Sequence, residues 1–169
     1  MSDSVKARLA ALAAEGRCDT VEGRPFLSLC VLESEMRYGL ALRDDELVWA
    51  RAQDGPSGEQ VLIFSSVANA VRFVELVEQD RDALEATIAK AARAVGIDAS
   101  EAVATLPVVA VATGLLDGRT PLFCRQTLRW VRPSELRELR AVIVGVAQDR
   151  SLPGDVRSLA DRMTVPETD

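Results

Sequence analysis

The most informative absence in this sequence is histidine, because the 169 residues contain none. Without an imidazole, the chain cannot supply Ser-His-Asp or Cys-His nucleophilic catalysis, histidine-ligated zinc or histidine acid–base chemistry. The Gly-x-x-x-x-Gly-Lys loop and the Gly-x-Gly-x-x-Gly fingerprint of phosphate-binding proteins are also missing. We therefore predict no catalytic residue and no cofactor, and the sequence leans away from an enzyme without excluding one.

Cysteine is scarce as well, with three residues at widely spaced positions: Cys18, Cys30 and Cys124. The odd number and the lack of a Cys-x-x-Cys pair argue against a disulfide framework and against a thiolate metal site. Cys30 and Cys124 lie in apolar runs and are expected in the core. Cys18 lies in a polar loop without an obvious activating partner.

A carboxylate metal site is the remaining possibility for an ion. The cluster of Asp44, Asp45 and Glu46, with Glu33 and Glu35 upstream, offers oxygen ligands of the kind that Mg²⁺ and Ca²⁺ take. The spacing lacks the glycine of a calcium loop, however, and a charged hairpin tip that keeps the turn soluble explains the cluster. We predict no metal.

No apolar run is long enough to predict a membrane span. The longest, from Ala102 to Leu116, falls short of the ~20 residues that a bilayer requires. Pro107 and Gly114 interrupt it, and the N-terminal residues carry an acid without a long apolar run. The sequence therefore predicts no membrane contact and a cytoplasmic location.

Lysine is nearly absent, with 2 residues against 18 arginines, and the formal net charge is −6. Residues 1–85 hold 9 basic and 16 acidic side chains, a net charge of −7, whereas residues 86–169 hold 11 and 10, a net charge of +1. Because phosphate contacts dominate nucleic-acid affinity, this acidic balance argues against a nucleic-acid partner.

The hydrophobic pattern predicts an α+β fold. One helix is followed by a strand at Phe26–Ser34, a hairpin over residues 36–55 and a further strand at 59–66, and then by helices from 67 to 106. In the hairpin, a two-residue turn at Asp44-Asp45 sets Leu40 opposite Trp49. The opposite face of this hairpin carries small residues that could lie under a helix.

The second half of the chain contains two further strand-like segments. "VVAVA" and "PLFCRQTLRWV" are joined around Asp117-Gly118, which is a favoured hairpin turn. Ser134 then caps a helix, although residues 141–147 are β-branched and could form a strand instead. The prediction is a single domain, residues 1–163, in which an antiparallel β-meander sheet carries helices packed on one face, followed by a short acidic tail, residues 164–169.

In element order, size and acidity the chain resembles the cytoplasmic chaperones of type III secretion. The resemblance is one of coarse topology across most of the chain, and the helical stretch from Asp80 to Leu106 departs from it. It implies a bacterial-type chaperone or adaptor that has no catalytic site.

The candidate site is an arginine-rich stretch, Leu122–Arg140, which holds five arginines and two glutamates. As a strand, it would project Arg125 and Arg129 from one face. Arginine binds carboxylate or phosphate through paired hydrogen bonds and is, like tryptophan, enriched at interfaces. The candidate residues for binding a partner or an anion are Arg125, Arg129, Trp130, Arg132, Arg137 and Arg140. The favoured alternative is that these arginines pair with the surplus acids of the first half and that Trp130 lies in the core.

These observations favour a non-enzymatic protein–protein interaction module: an adaptor, a secretion-type chaperone or an immunity-like protein. Its partner would be another protein or a second copy of the chain in a homodimer. The alternative is a sensor or enzyme for a small anionic ligand or nucleotide that uses the arginine cluster.

Overall fold

The structure is a computed structural model that describes residues 2–164. The strands are β1 (Asp19–Val21), β2 (Arg24–Val31), β3 (Arg37–Arg43), β4 (Glu46–Asp54) and β5 (Gln60–Phe64). The α-helices are α1 (Ser2–Ala14), α2 (Val74–Glu78), α3 (Arg81–Ala94), α4 (Ala99–Ala104), α5 (Val108–Asp117), α6 (Pro121–Trp130), α7 (Leu136–Gln148) and α8 (Gly154–Thr164). Two 3₁₀ turns, Ala70–Phe73 and Pro133–Glu135, precede α2 and α7.

These elements form two compact units. The first contains the described residues up to 65 together with 81–106, and the second contains residues 66–80 and those from 107 onward. The predicted tail begins at Thr164, which is the last residue of α8, and residues 165–169 lie outside the described part of the chain.

The five strands of the first unit form an antiparallel meander in the order β1-β2-β3-β4-β5. The predicted register of β3 and β4 is confirmed, with Leu40 opposite Trp49 and Arg43 opposite Glu46. Asp44 and Asp45 both have positive φ, at 49° and 66°, as a two-residue hairpin turn of the favoured twist requires. The predicted α+β class, an antiparallel meander with helices, is thereby confirmed.

Helices cover one face of this sheet. α1 and α3 pack against β2, and α3 also packs against α4. Trp49 is buried on this face, where its Nε1–H donates a 2.8 Å hydrogen bond to Thr105 Oγ1 at the end of α4. This bond satisfies the polar atom of a large buried ring, which would otherwise be costly to desolvate.

The small-residue face of the hairpin does not lie under a helix, contrary to our expectation. Ala41, Ala50 and Ala52 pack instead against Phe26 and Leu62 of the same sheet, with Val21 and the partly buried Phe64 completing the cluster. The sheet curls around these short side chains and brings β1 near β5. The Leu62 N–H donates a 3.0 Å hydrogen bond to Glu22 Oε2 beside β1.

A bulge and a glycine allow the second and third strands to approach closely. The register between β2 and β3 shifts between Ser28 and Cys30. A Cβ atom at Gly39 would lie 1.9 Å from the carbonyl oxygen of Leu27, which is far inside van der Waals contact. Only glycine therefore fits this position of β3.

The two strands predicted in the second half are helices. "VVAVA" lies in α5, where Val108, Val111, Ala112, Leu115 and Leu116 are buried at helical spacing. Asp117-Gly118 ends this helix rather than turning a hairpin, since the Gly118 N–H donates to the Gly114 carbonyl. The β-branched composition was misleading because a short apolar run fits a buried strand and a buried helix equally well.

The "PLFCRQTLRWV" segment begins a second helix. Thr120 stands at the N-cap of α6 and Pro121 is its first residue, a combination that favours a helix start. Four residues of α6 are buried: Cys124, Thr127, Leu128 and Trp130. The predicted element order that resembled secretion chaperones included a second pair of strands, and the structure has helices in their place.

Residues 141–147 belong to α7, which resolves the alternative left open by the sequence. Ser134 does not cap this helix directly, because the 3₁₀ turn Pro133–Glu135 comes first. At that turn, Glu135 Oε2 accepts a 2.9 Å hydrogen bond from the Arg132 N–H. Leu139, Ile143 and Val146 of α7 are buried with residues of α5, α6 and α8 in the core of the second unit.

One stretch, Ala99–Asp117, is long and apolar enough to cross a membrane by length and composition. The structure breaks it at Thr105–Pro107 into α4 and α5. α5 has ten residues and therefore spans about 15 Å, half of the ~30 Å hydrocarbon thickness. Apolar residues of α5 lie in the core of the second unit, and this burial explains why the segment is hydrophobic.

Candidate interaction surface

Arg125, the first candidate residue, is held by an acid of its own unit. Its Nε and Nη2 atoms donate hydrogen bonds of 3.0 and 2.6 Å to Asp155 Oδ2 at the start of α8. The hydrogen bond from Arg125, together with its charge, lowers the pKa of the Asp155 carboxyl. The expected pairing with acids of the first half is therefore wrong for this residue, because Asp155 belongs to the second half.

Trp130 lies in the core, as the favoured alternative predicted. Its side chain is only 5% exposed at the end of α6. The predicted strand faces are wrong, because α6 is a helix in which the buried positions repeat every three or four residues. The Trp130 ring is therefore not accessible to a partner, and Trp130 is no longer a candidate contact residue.

Three of the predicted arginines remain exposed: Arg129, Arg137 and Arg140. Within residues 4–164, none of the three forms an ion pair. Arg129 stands in the last turn of α6, where the helix dipole favours a positive charge. Arg132 is half-buried and belongs to the turn that precedes α7.

The exposed face of α6 combines an apolar residue with cations. Leu122, Arg125, Gln126 and Arg129 follow one another at spacings of three, one and three residues, which places them on one side of the helix. Leu122 is 53% exposed, so an apolar side chain lies beside the cation on this face. Gln126 is half-buried and its Oε1 is shielded from solvent, so we call the two exposed residues of this side, Leu122 and Arg129, the α6 face.

The exposed face of α7 carries the other two arginines. Arg137 and Arg140 lie three residues apart, and Ala141 lies four residues after Arg137, so all three share one side of the helix. The side opposite contains Leu139, Ile143 and Val146. We call Arg137, Arg140 and Ala141 the α7 face.

Arg119 is an ion-paired residue that the sequence analysis missed. Its Nε lies 3.6 Å from Asp149 Oδ2, and its Nη1 donates a 3.5 Å hydrogen bond to the Val142 carbonyl. Hydrogen bonds from Ser151, and in smaller part the charges of Arg119 and Arg157, lower the pKa of Asp149. Arg119 has a positive φ, 53°, in the turn between α5 and α6.

The cysteines are unsuited to nucleophilic chemistry. Burial raises the pKa of the Cys30 thiol to about 12. Burial also raises the pKa values of Cys18 and Cys124, and nearby Arg119 lowers that of Cys124 by a smaller amount. All three thiols are therefore protonated near neutral pH, and a protonated thiol is a weak nucleophile.

The acids at the Asp44-Asp45 hairpin tip were the candidate oxygen ligands in the sequence. In the part of the chain that the structure describes, no group of three or more carboxylates or thiols is placed to hold a metal ion. A depression of about 320 Å³ in the first unit lies at the start of β3 beside Arg37 and Gln60. Arg37 is already engaged there by Asp19 and by Gln60.

Comparison of the chain with protein-family models, with curated proteins and with solved structures finds no match.

Proposed function

We propose that this chain is a non-enzymatic protein-interaction module of the cytoplasm, with the role of an adaptor, a secretion-type chaperone or an immunity-like protein. The observation that carries this proposal is the set of exposed arginines on the α6 and α7 faces that form no ion pair within residues 4–164. A chain of net charge −6 has carboxylates to spare, yet these three cations are left for solvent or a partner.

The composition of the α6 face supports a protein partner. Leu122 supplies an exposed apolar side chain, and Arg129 on the same side supplies planar hydrogen-bond donors. Arginine is enriched in protein interfaces, whose cores are apolar and whose rims are polar. A partner that covers Leu122 and places a carboxylate on Arg129 would bury the apolar side chain and pair the guanidinium with an acid.

Charge also indicates what kind of protein the partner is. If two copies of this chain met through the same face, the twofold axis would bring the arginines of one copy against a surface that carries arginines and no carboxylate. Such a dimer would bury like charges against each other, and this is costly. The partner is therefore a different protein with an acidic surface.

The chemistry of the described residues supports a non-enzymatic role. The chain has no histidine, and the thiol pKa values are raised. Arg125, a member of the cluster that a small-anion sensor would use, is bound to Asp155. No observation favours the anionic-ligand alternative over a protein partner at this surface.

Site-specific photo-crosslinking in the native cell tests the proposal. A benzoylphenylalanine replaces Leu122, and a matched protein carries it at Ala86, which is exposed on α3 of the first unit. We expect one adduct with a different protein from position 122 and none from position 86. R129E combined with R137E should reduce the adduct by about tenfold or more, because each charge reversal introduces a repulsion.

R93E provides the control for charge, because Arg93 is equally exposed but lies on α3. It should leave the adduct unchanged. Equal adducts from positions 122 and 86, no adduct at either position, or an adduct between two copies of this chain would each reject the proposal.

A further inference from the structure

Two arginines share a single aromatic ring at one end of the curled sheet. The Cζ atoms of Arg24 and Arg43 lie 5.5 and 5.4 Å from the centroid of the Phe64 ring. Arg24 begins β2, Arg43 ends β3 and Phe64 ends β5. β2 pairs Phe26 with Ala41, so continuing this register by two residues sets Arg24 directly opposite Arg43.

Two cations in this position are electrostatically incomplete. Like charges facing each other destabilise a strand pair, and a cation–π contact at a partly exposed site offsets this only weakly. Within residues 4–164, neither Arg24 nor Arg43 forms an ion pair. Both side chains are half-buried and so remain reachable from solvent.

Arg37, at the other end of β3, shows the same arrangement in a neutralised form. Its Cζ lies 5.6 Å from the ring centroid of Phe26, as Arg24 and Arg43 lie against Phe64. In addition, Asp19 binds its guanidinium as an ion pair and Gln60 accepts a hydrogen bond from it. The Arg24–Phe64–Arg43 cluster has the ring and the cations, but within residues 4–164 no carboxylate lies within ion-pair distance of either guanidinium.

We propose that the Arg24–Phe64–Arg43 cluster is a binding site for a carboxylate, supplied by an aspartate or glutamate side chain of a partner polypeptide. Two guanidinium groups fixed against one ring present several N–H donors to a single anion, and arginine binds carboxylates in this way through paired hydrogen bonds. The site lies in the first unit, so it does not depend on the α6 and α7 faces.

The surrounding charges select a single carboxylate over a polyanion. Glu22 lies two residues before Arg24, and Asp44 and Asp45 directly follow Arg43. Glu46 stands opposite Arg43 on β4. These four acids repel any incoming anion, and the repulsion grows with each negative charge, so a nucleic acid with many phosphates is disfavoured far more strongly than a single carboxylate.

The test is an NMR titration of the arginine Nε–Hε resonances of the full chain at constant ionic strength. The probe is N-acetyl-glutamate N-methylamide, whose only charge is its side-chain carboxylate. We expect saturable shifts of the Arg24 and Arg43 resonances, with a dissociation constant on the order of 1 mM for so small a ligand. R24Q and R43Q should each weaken binding by about tenfold, since each removes charge-assisted hydrogen bonds.

R93Q carries the same change of charge on the exposed face of α3 and should bind the probe like the unmodified chain. F64L keeps both cations and removes the ring, and it should also weaken binding because the guanidinium groups lose the surface that fixes them. Amide spectra of each variant establish that the fold is retained. Shifts that do not saturate, or that persist unchanged in both R24Q and R43Q, would overturn the proposal. Tighter binding of inorganic phosphate or of a ten-nucleotide single-stranded DNA would overturn the choice of a carboxylate.

Discussion

Arg125 and Asp155 are joined by two hydrogen bonds that end on the same carboxylate oxygen, Oδ2. The pair connects the middle of α6 to the first turn of α8, two helices that pack against each other in the second unit. Within residues 4–164, Arg129, Arg137 and Arg140 of the same stretch form no ion pair. Arg125 therefore stabilises the packing of α6 against α8, whereas the exposed arginines are available for contact with a partner.

The carboxyl of Asp155 should titrate below the ordinary aspartate value of about 3.9, because Arg125 favours its ionised form. R125Q should move the pKa of Asp155 upward towards that value. A ¹³C NMR titration of the aspartate side chains measures both values. Asp98, whose pKa is lowered by hydrogen bonds from Ser100 and from the Glu101 backbone, is the internal control and should not move.

The same linkage fixes the sign of a stability change with pH. The pKa of Asp155 is lower in the folded state than in the unfolded state, so the ionised carboxyl stabilises the fold fully at pH values above the unfolded-state pKa. This stabilisation is lost as the pH falls through the folded-state pKa. D155N should therefore have a lower urea midpoint than the unmodified chain at pH 7. The two midpoints should converge as the pH falls below 4, and a constant difference would contradict the linkage.

Thr127 and Thr105 should respond in opposite ways to replacement by valine. Thr127 is fully buried in α6, and its hydroxyl forms no hydrogen bond, so Thr127→Val should be neutral or stabilise the fold by about 1 kcal/mol. Thr105 Oγ1 accepts from Trp49 and donates to the Ala102 carbonyl, so Thr105→Val should cost about 1–3 kcal/mol. Urea denaturation at 25 °C measures both changes, and equal losses would contradict the structure.

Gly39→Ala should strongly destabilise the first unit. The added Cβ would meet the Leu27 carbonyl at 1.9 Å, and because this is backbone the strands must separate, at a cost of about 3 kcal/mol or more. Gly118→Ala is the matched control, since Gly118 has helical φ and ψ and its nearest neighbour would lie at 3.5 Å. That change should be tolerated or should stabilise by about 0.4–1 kcal/mol. Similar urea midpoints for the two variants would refute the tight approach of β2 and β3.

The cysteines should react with a thiol reagent at clearly different rates. Cys18 is partly exposed in a loop, whereas Cys30 and Cys124 are buried. With a disulfide reagent at pH 8, the accessible Cys18 thiol should react in the folded protein, and the two buried thiols should react only after denaturation. C18S should remove the fast phase, and a fast phase that survives this substitution would place the reactive thiol elsewhere.

The sequence predicted the first unit well and the second poorly, for physical reasons. The β3–β4 register followed from alternating side chains about a short turn, and a slip of one residue would have turned Leu40 and Trp49 to the wrong face. α5 and α6 have no such constraint, because short apolar runs fill a buried helix and a buried strand alike. Thr120-Pro121 was the signal that could have identified α6.

The candidate site was predicted only in part. Arg129, Arg137 and Arg140 are exposed, as a contact surface requires, whereas Trp130 is buried and Arg125 is paired. A pairing between Arg125 and Asp155 spans 30 residues and depends on how α8 packs, which local patterns do not reveal. The approach of Arg24 and Arg43 to Phe64, in contrast, depends on how β2, β3 and β5 come together, which the sequence pattern of one strand does not reveal.

The hydrogen bond from the Leu62 N–H to Glu22 also bears on how this protein behaves when it is concentrated. β5 is the last strand of the sheet, and the backbone donors of an edge strand are the groups through which separate molecules join into aggregates. Glu22 occupies one of these donors with a side chain and places a negative charge beside it. The chain thereby protects its own open edge, and the same carboxylate that completes the curl of the sheet opposes the addition of a foreign strand.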